Sequence, residues 1–586
     1  MKQFYRGILL ALFVINPQFL YAQEVLPKGM TQEEQSLVSD YQFTGTAFTP
    51  PPSQPVRTPA QWEEAAYLLL RWTPEFQNIQ RQIVEAAVDE CKVLITTQNP
   101  ASVQTYLTNN GIDLTNVEFL NAPTNSIWIR DYAGNTVYTN DVGDRALVDW
   151  IYNRPRPLDN LLPTHHADYF GLPLYVTDSA PADLVNTGGN FMSDGMGNAF
   201  ASKLILDEND AGNPYGVSVK TEEDIDQIIH DYMGIDSFRK METLPYDGIH
   251  HIDMHMKLLD EETILVSKYP EGVADGPQIE ANIDYITSTF QTPFGNDYDI
   301  IWIPAPPSAS GQYPDSGGAY RTYTNALILN KTVLVPTYRP EVDNEALQIW
   351  HDAMPGYRIV GIDVDNSNEP LINSSGAIHC ITHTIGVADP LWIVHEKIRE
   401  VSTTSDIPVE AQIKHISGVA QAKVFWKEED ETIFHETAMT HGSGDDWTAS
   451  LTIPADSEEI NYYIWAEANS GKSIARPMPA PDGYWTFNVL QLSTEEFAAK
   501  NILGPYPNPA KGQVYFELKN IPGNVLVSIQ DVTGRNLFKQ VITHANLPAG
   551  KAGGKLSLDL NPSWKGVYLV TLEGGFGKVT RKLIVQ

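Results

Sequence analysis

Cysteine is nearly absent: the 586-residue chain has two, Cys91 and Cys380. That excludes a disulfide-stapled scaffold and makes each thiol a question in itself. Positive charge is also scarce. Lys and Arg number 39 against 73 Asp and Glu, a formal net charge of −34. Such a field repels polyanions, which argues against nucleic acid or an anionic membrane surface as the partner. After the N-terminal segment no run reaches ~18 consecutive apolar residues, and no membrane span is expected. Apolar material itself is plentiful. With 42% hydrophobic and 10% aromatic residues, real cores can form and global disorder is excluded.

At ~100–200 residues per domain, the length accommodates roughly three or four domains. The charge divides them unequally. Residues 500–586 carry eleven basic against four acidic side chains, +7, which leaves −41 for residues 1–499. A shift of that size marks a module boundary.

The N-terminus reads as a signal peptide over 1–22. Lys2 and Arg6 precede the apolar run Gly7 to Val14, and Leu20-Tyr21-Ala22 supplies a cleavage site before Gln23. Residues 23–45 are polar and aperiodic, the pattern of a flexible leader or pro-segment. The stretch Thr49-Pro50-Pro51-Pro52-Ser53 enters a first domain placed at 46–400. There, Ala65, Leu68, Leu69, Trp72, Phe76, Ile79, Ile83, Ala86 and Ala87 recur at helical spacing, predicting a helix from Trp62 to about Cys91. A buried strand follows at 92–96. Further strands are predicted at 146–151, 263–267, 300–303, 326–336 and 357–364, with helices at 222–232, 278–289 and 343–353. That alternation is an α/β pattern.

Residues 401–490 change to alternating strands (420–426, 447–453, 461–466) with polar turns such as Gly442-Ser443-Gly444-Asp445, predicting an immunoglobulin-like β-sandwich without its cysteine pair. A linker at 491–500, helical over 494–500, leads into a strand-rich module at 501–586.

Four clusters carry chemistry. Cys380 sits in Ser374-Ser375-Gly376-Ala377-Ile378-His379-Cys380-Ile381-Thr382-His383, where small residues let backbone approach a ligand and histidines flank the thiol. It is a nucleophile candidate or a core cysteine, whereas Cys91 reads as a buried structural thiol. The second cluster is His250-His251-Ile252-Asp253-Met254-His255. In a strand His251, Asp253 and His255 share one face, which fits either zinc or a general acid/base beside a cation-binding carboxylate. The third, Trp128-Ile129-Arg130-Asp131-Tyr132, offers Asp131 as a ligand or as a salt-bridge partner of Arg130. In the fourth, Asn153-Arg154-Pro155-Arg156-Pro157, the prolines hold the backbone extended. Arg154 and Arg156 then face one side as a carboxylate clamp, or lie in a solvated loop.

These clusters, with Thr187-Gly188-Gly189-Asn190 and Tyr323-Thr324-Asn325, resemble in residues and order the guanidino-group-modifying superfamily of agmatine and arginine deiminases. Within it the chain is most similar to the secreted peptidylarginine deiminases of the Porphyromonas type. The resemblance implies a five-bladed ββαβ α/β-propeller, the pentein fold, and deimination of arginine to citrulline. The preferred substrate would be arginine in peptides or proteins, at a C-terminus first. It implies Cys380 as nucleophile, His251 as general acid/base, Asp131 and Asp253 as the guanidinium grip, and Asn325 beside the nucleophile. Arg154 and Arg156 would hold a substrate carboxylate, with Trp128 and Asn190 also lining the substrate site. No cofactor is required, although the acidic loops leave room for a structural calcium or sodium. The sequence departs from the family at Gly248, where an aromatic holding substrate backbone is expected. Tyr246 is the candidate replacement, and His255 is an addition.

Such residues suit the reaction. Two carboxylates can grip the fork of a guanidinium and fix its carbon for thiolate attack, and one histidine can serve both the leaving ammonia and the incoming water. Agmatine or free arginine is the near alternative substrate, although agmatine has no carboxylate for Arg154 and Arg156. An exported cysteine protease and a metal-binding surface module around His251, Asp253 and His255 remain as alternatives of other classes.

The tail motifs Gly504-Pro505-Tyr506-Pro507-Asn508-Pro509-Ala510, Asp531-Val532-Thr533-Gly534-Arg535, Gly566-Val567-Tyr568-Leu569-Val570 and Lys582-Leu583-Ile584-Val585 resemble the C-terminal sorting domain of type IX secretion cargo. That implies the outer-membrane secretion machinery as a partner and a secreted or cell-surface location.

Overall fold

The triplet Leu68-Leu69-Leu70 is completely buried and forms the middle of a strand, Ala65–Arg71, hydrogen-bonded on both edges. This is the first correction to the sequence pattern. The segment from Trp62 to Cys91 is not one helix but this strand followed by a helix, Gln77–Ala87. Leucines at consecutive positions suit a central strand covered on both faces, and a three-residue 3-10 turn starting at Pro74 separates the two elements. The computed structural model describes residues 26–490, 494–519, 521, 524–542, 554–574 and 576–586. The expected signal peptide lies outside them.

Between residues 56 and 386 five sheets share one pairing rule: an antiparallel pair, then a helix, then a strand parallel to the second of the pair. One sheet pairs Asn135–Thr139 and Arg145–Trp150, crosses over by the helix Leu162–Phe170, and adds Leu174–Thr177. The next three are built alike around the helices Glu222–Met233, Gly276–Thr289 and Pro340–Ala353. In the fifth, the late strand Thr382–Gly386 pairs antiparallel with the early strand Ala65–Arg71, so the two ends of the region meet in one sheet. The predicted strand at 326–336 is a tight hairpin, Leu327–Leu329 and Thr332–Thr337, turned at Asn330 with φ 51°.

Helix ends follow their caps. Thr221 accepts from the Asp224 amide in a capping box, and Gly234 ends the same helix in the left-handed region.

Two sheets sharing one core follow the α/β region. Their edge strand Trp392–Val394 lies ahead of residue 401 and pairs with Ile407–Lys414, with Leu391 and Ile393 in the shared core. Arg476 reaches back to Glu261 at 2.6 Å. The helix Thr494–Asn501 then leads into a C-terminal β-rich region with its own core around Phe516, Val527 and Leu572.

The leader departs most from expectation. Residues 26–45 are docked, not loose. A short helix, Gln32–Leu37, starts at Thr31 with a capping box to Glu34. Val38 and Phe43 are buried against Ile151, Val185, Tyr215 and Val217.

Candidate active site

Five of the motifs singled out in the sequence sit on short turns, each feeding the first strand of one of the five sheets; Asn153 to Pro157 instead follows the strand Arg145–Trp150 and enters the helix Pro157–Asn160. Ile129–Tyr132 precedes Asn135–Thr139, and Gly188–Asn190 precedes Met192–Ser193. Ile252–Met254 precedes Met256–Leu258, the bend at 323–325 precedes Leu327–Leu329, and His379–Ile381 precedes Thr382–Gly386. Side chains distant in sequence therefore converge at the entrances of five similar sheets.

Trp128 to Tyr132 is a helical turn. This placement corrects one local expectation: Ile252–Met254 is a 3-10 turn, so strand alternation does not apply there. His251, Asp253 and His255 accordingly do not share a face. Among the described residues, no group of three or more His, Cys, Asp or Glu is arranged to hold a metal ion. His255 is buried in the core, and burial lowers its pKa to about 4, keeping it neutral.

Cys380 is fully buried. Asn325 Nδ2 donates to its sulfur at 3.3 Å, and Asp253 Oδ2 lies 3.9 Å away. Burial pushes the thiol up to about 11, against the attraction of the Lys28 ammonium. Asp253 is fixed by His379, whose Nδ1 donates to Oδ2 at 2.7 Å. His379 Nε2 in turn accepts from the Gln61 amide at 2.8 Å. Asp131 Oδ1 accepts from the Gly189 amide at 3.2 Å and lies 3.5 Å from His251 Nδ1, while His251 Nε2 meets the Thr187 hydroxyl at 2.9 Å. Burial holds His251 well below the usual imidazole range and raises both carboxylates.

The paired glycines have a steric cause. A Cβ on Gly188 would lie 2.0 Å from the Arg130 carbonyl oxygen. One on Gly189 would meet His251 Nδ1 at 2.5 Å, Asp131 Oδ1 at 3.0 Å and Asp253 Oδ2 at 3.2 Å. Three functional groups thus crowd around one backbone position that only glycine can fill. Asn190 is buried beside these glycines. Its Oδ1 accepts from the Ser202 and Ile252 amides at 2.8 and 3.3 Å, so it braces the turn that carries Asp253. Arg130 turns away from its neighbour Asp131 and donates through Nε to the His379 carbonyl at 3.3 Å.

The remaining predicted residues meet the leader. Lys28 is completely buried, with Nζ 2.9 Å from Cys380 Sγ and 4.0 Å from Asp253 Oδ1. Burial acts against its charge, but Asp253, Cys380 and Asp131 together raise its pKa above the ordinary lysine value. Trp128 Nε1 donates to the Leu26 carbonyl at 2.9 Å, and Arg154 Nε to the Lys28 carbonyl at 3.1 Å. Arg156 is buried. Its Nη2 donates to the Pro27 and Gly29 carbonyls at 2.8 and 3.1 Å, and its Nε to Glu34 Oε1 at 2.7 Å. Arg154 and Arg156 do reach one side together, and neither is solvated loop. Tyr246 is exposed, and a Cβ on Gly248 would meet open space. Cys91 is half-buried, and burial pushes its thiol up to about 12.

Sequence reasoning missed Lys28, Glu34 and Gln61 as neighbours of the site, and gave Thr187 a place in a motif but no role. Thr31-x-x-Glu34 is a capping-box signature that marks the leader helix. Nothing local in the sequence marks Lys28.

The Porphyromonas-type peptidyl-arginine deiminase family matches residues 57–385, a span that contains all five turns. The chain belongs to that family. As a member of it, the protein is an enzyme, a hydrolase of the arginine and agmatine deiminase type that acts on guanidino groups. A "Putative agmatine deiminase" of Legionella pneumophila (strain Paris) is 27% identical over 283 residues, covering 46% of this chain and 75% of that protein. One of Vibrio parahaemolyticus is 23% identical over 364 residues, covering 56% and 96%. A crystal structure titled as the putative arginine deiminase from Porphyromonas gingivalis superposes on the deiminase region with a TM-score of 0.50 at 20% identity, covering 57% of this chain and 99% of that one. It supports the fold.

Residues 505–586 match the secretion system C-terminal sorting domain. The deiminase is therefore secreted to the cell surface by the type IX route, and its tail is the part that engages that machinery. Among the described residues, no helix is long and apolar enough to cross a membrane.

Proposed function

We propose that the deiminase hydrolyses the guanidinium of arginine in peptides and proteins, first at a C-terminus, to citrulline and ammonia. One observation carries this reading: a cation is held against the Cys380 sulfur by Asp253 while Arg154 and Arg156 hold the backbone of the chain that bears it. Agmatine has neither backbone carbonyls nor a carboxylate for those arginines. A C-terminal arginine would offer Arg156 a carboxylate in exchange for that of Glu34.

In the proposed reaction, Asp131 and Asp253 grip the two sides of the guanidinium and fix its carbon beside the sulfur. The arriving cation favours the Cys380 thiolate, which adds to that carbon. His251, neutral beforehand, takes up the proton that Cys380 loses and passes it to the departing ammonia, leaving an S-alkylthiouronium. The same imidazole then activates water, which displaces the sulfur. Asn325 steadies Cys380, and Trp128 holds the peptide chain. The family's own chemistry needs no cofactor here.

We also infer that the five similar sheets are the blades of an α/β-propeller of the pentein kind. The two-sheet region after it is immunoglobulin-like, with its first strand ahead of residue 401. We retain the leader at 23–45, the catalytic domain from 46, the linker at 491–500 and the sorting domain at 501–586.

The test incubates the Lys28→Ala chain, and wild type beside it, with peptides ending in arginine, peptides with internal arginine, free arginine and agmatine. Ammonia and citrulline are measured, with Cys380→Ala as control. Citrulline from the peptides is expected. Ammonia from none of the four overturns the enzymatic reading, and ammonia from agmatine alone overturns the peptidyl one.

A further inference from the structure

The leader places two opposite charges in the site at once. Lys28 supplies a cation to Cys380 and Asp253, and Glu34 supplies a carboxylate to Arg156. Those are the charges that an arginine residue at a peptide C-terminus carries. The backbone around Lys28 is held too: its amide donates to the Ser374 carbonyl at 2.9 Å, and the carbonyls of residues 26–29 accept from Trp128, Arg154 and Arg156. We propose that residues 26–45 are a tethered pseudosubstrate that keeps the deiminase closed until the segment is displaced or cut away. The proposal rests on the function proposed above and adds its regulation.

The choice of lysine is chemically apt. Lysine Nζ and arginine Cζ stand the same number of bonds from Cα, so at 2.9 Å from Cys380 Sγ the ammonium sits where the guanidinium carbon would be attacked. Near-attack distances are about 3–3.5 Å. An ammonium nitrogen has no electrophilic carbon and no amide-like leaving group, so it fills the pocket without reacting. Pairing also keeps this buried charge tolerable, because an isolated ammonium in the interior is costly.

The rest of the segment acts as the fastener. Val38 and Phe43 are buried, the Phe43 ring lies edge-on to Tyr215 at 5.0 Å, and the Gly45 amide donates to the Asp178 carbonyl at 2.8 Å. Immediately after it, Thr46, Ala47 and Phe48 are exposed, which gives a protease a place to cut without entering the site. With the segment in place, Cys380 has no exposed surface.

The device predicts a change that the same chemistry can read out. In Lys28→Arg the guanidinium carbon would lie against the thiol. Cys380 would give its proton to His251 as its sulfur bonds to that carbon, a terminal C–N bond would break, and His251 would pass the proton to the departing ammonia. Water would then replace sulfur, leaving citrulline at position 28.

The experiment uses the full chain. Alkylation of Cys380 by iodoacetamide is followed by peptide mass spectrometry in wild type, Lys28→Ala and Glu34→Gln, with Cys91 as the internal reference thiol. Compared per thiolate, with each rate corrected by the pH profile of its own thiol because Lys28 favours the Cys380 thiolate, alkylation is expected to be about ten- to hundredfold faster in Lys28→Ala, where the segment covering the sulfur loses one charge-assisted hydrogen bond, and faster to a smaller degree in Glu34→Gln. Equal rates in all three overturn the proposal. Lys28→Arg is expected to carry citrulline at position 28 at a rate independent of protein concentration, and to lose it with Cys380→Ala. If the Lys28→Arg chain deiminates added peptides while its own introduced arginine stays unmodified, the proposal is also overturned. A gated thiol in a chain that releases ammonia from no arginine compound upholds the gate and overturns the proposed activity instead.

Discussion

His379 Nδ1 lies 2.7 Å from Asp253 Oδ2, and its Nε2 accepts from the Gln61 amide, so the ring is held neutral and in one tautomer. Burial and the nearby Arg130, Lys257 and Lys28 charges keep it from protonating. It orients the carboxylate that would grip the substrate cation. His379→Ala should therefore lower kcat/KM for an arginine peptide by about 10–100-fold, the usual cost of losing an orienting partner. His379→Asn, whose amide can donate from nearly the same place, should recover most of that loss in steady-state assays on a Lys28→Ala background. Equal losses in both variants would point to a packing role only.

Asp131→Asn and Asp253→Asn should move two observables in opposite directions. Each removes one half of the guanidinium grip, so kcat/KM should fall about 10–100-fold. Each also removes a negative charge that raises the Cys380 pKa. The pH profile of Cys380 alkylation should therefore shift to lower pH even as turnover falls, a split that misfolding would not produce.

Arg156→Ala should act selectively. On the Lys28→Ala background, kcat/KM for peptides ending in arginine is expected to fall about 10–100-fold with the loss of charge-assisted hydrogen bonds. Agmatine, which offers Arg156 no carboxylate, should be turned over at an unchanged rate. A parallel fall for both substrates would remove Arg156 from substrate recognition.

Acid should loosen the leader. Burial works to raise the Glu34 pKa, but its hydrogen bonds with Arg156 and Thr31 outweigh that and lower it below the ordinary value. A carboxylate depressed in the docked state contributes stability above its undocked pKa, about 4.3 for glutamate. That contribution is lost as pH falls through the lower, docked value. Hydrogen exchange at residues 26–45, corrected for intrinsic rate, should show protection falling below about pH 4. In Glu34→Gln protection should be lower at neutral pH and less sensitive to acid.

Much of the fold was legible. The helix over 222–232 is observed as Glu222–Met233 and the strand over 263–267 as Thr263–Lys268, because caps and periodicity are local signals. The Trp62–Cys91 segment failed because three consecutive buried leucines look the same in a central strand and in a buried helix; only the strands on either side decide. The five similar sheets leave no visible repeat, since equal backbones are packed by unrelated side chains.

By itself, the sequence determined the chemistry available. One thiol, two aspartates, a histidine, an asparagine and two arginines stand in motifs whose types and order identify the family, and a basic tail carries the export address. Tertiary structure alone decided where those groups meet, because the pairing of Thr382–Gly386 with Ala65–Arg71 brings turns separated by hundreds of residues to a common point. It also decided what occupies that point. Lys28 in a polar, aperiodic segment has no distinguishing pattern, and only long-range packing of Val38 and Phe43 carries its ammonium to the sulfur of Cys380.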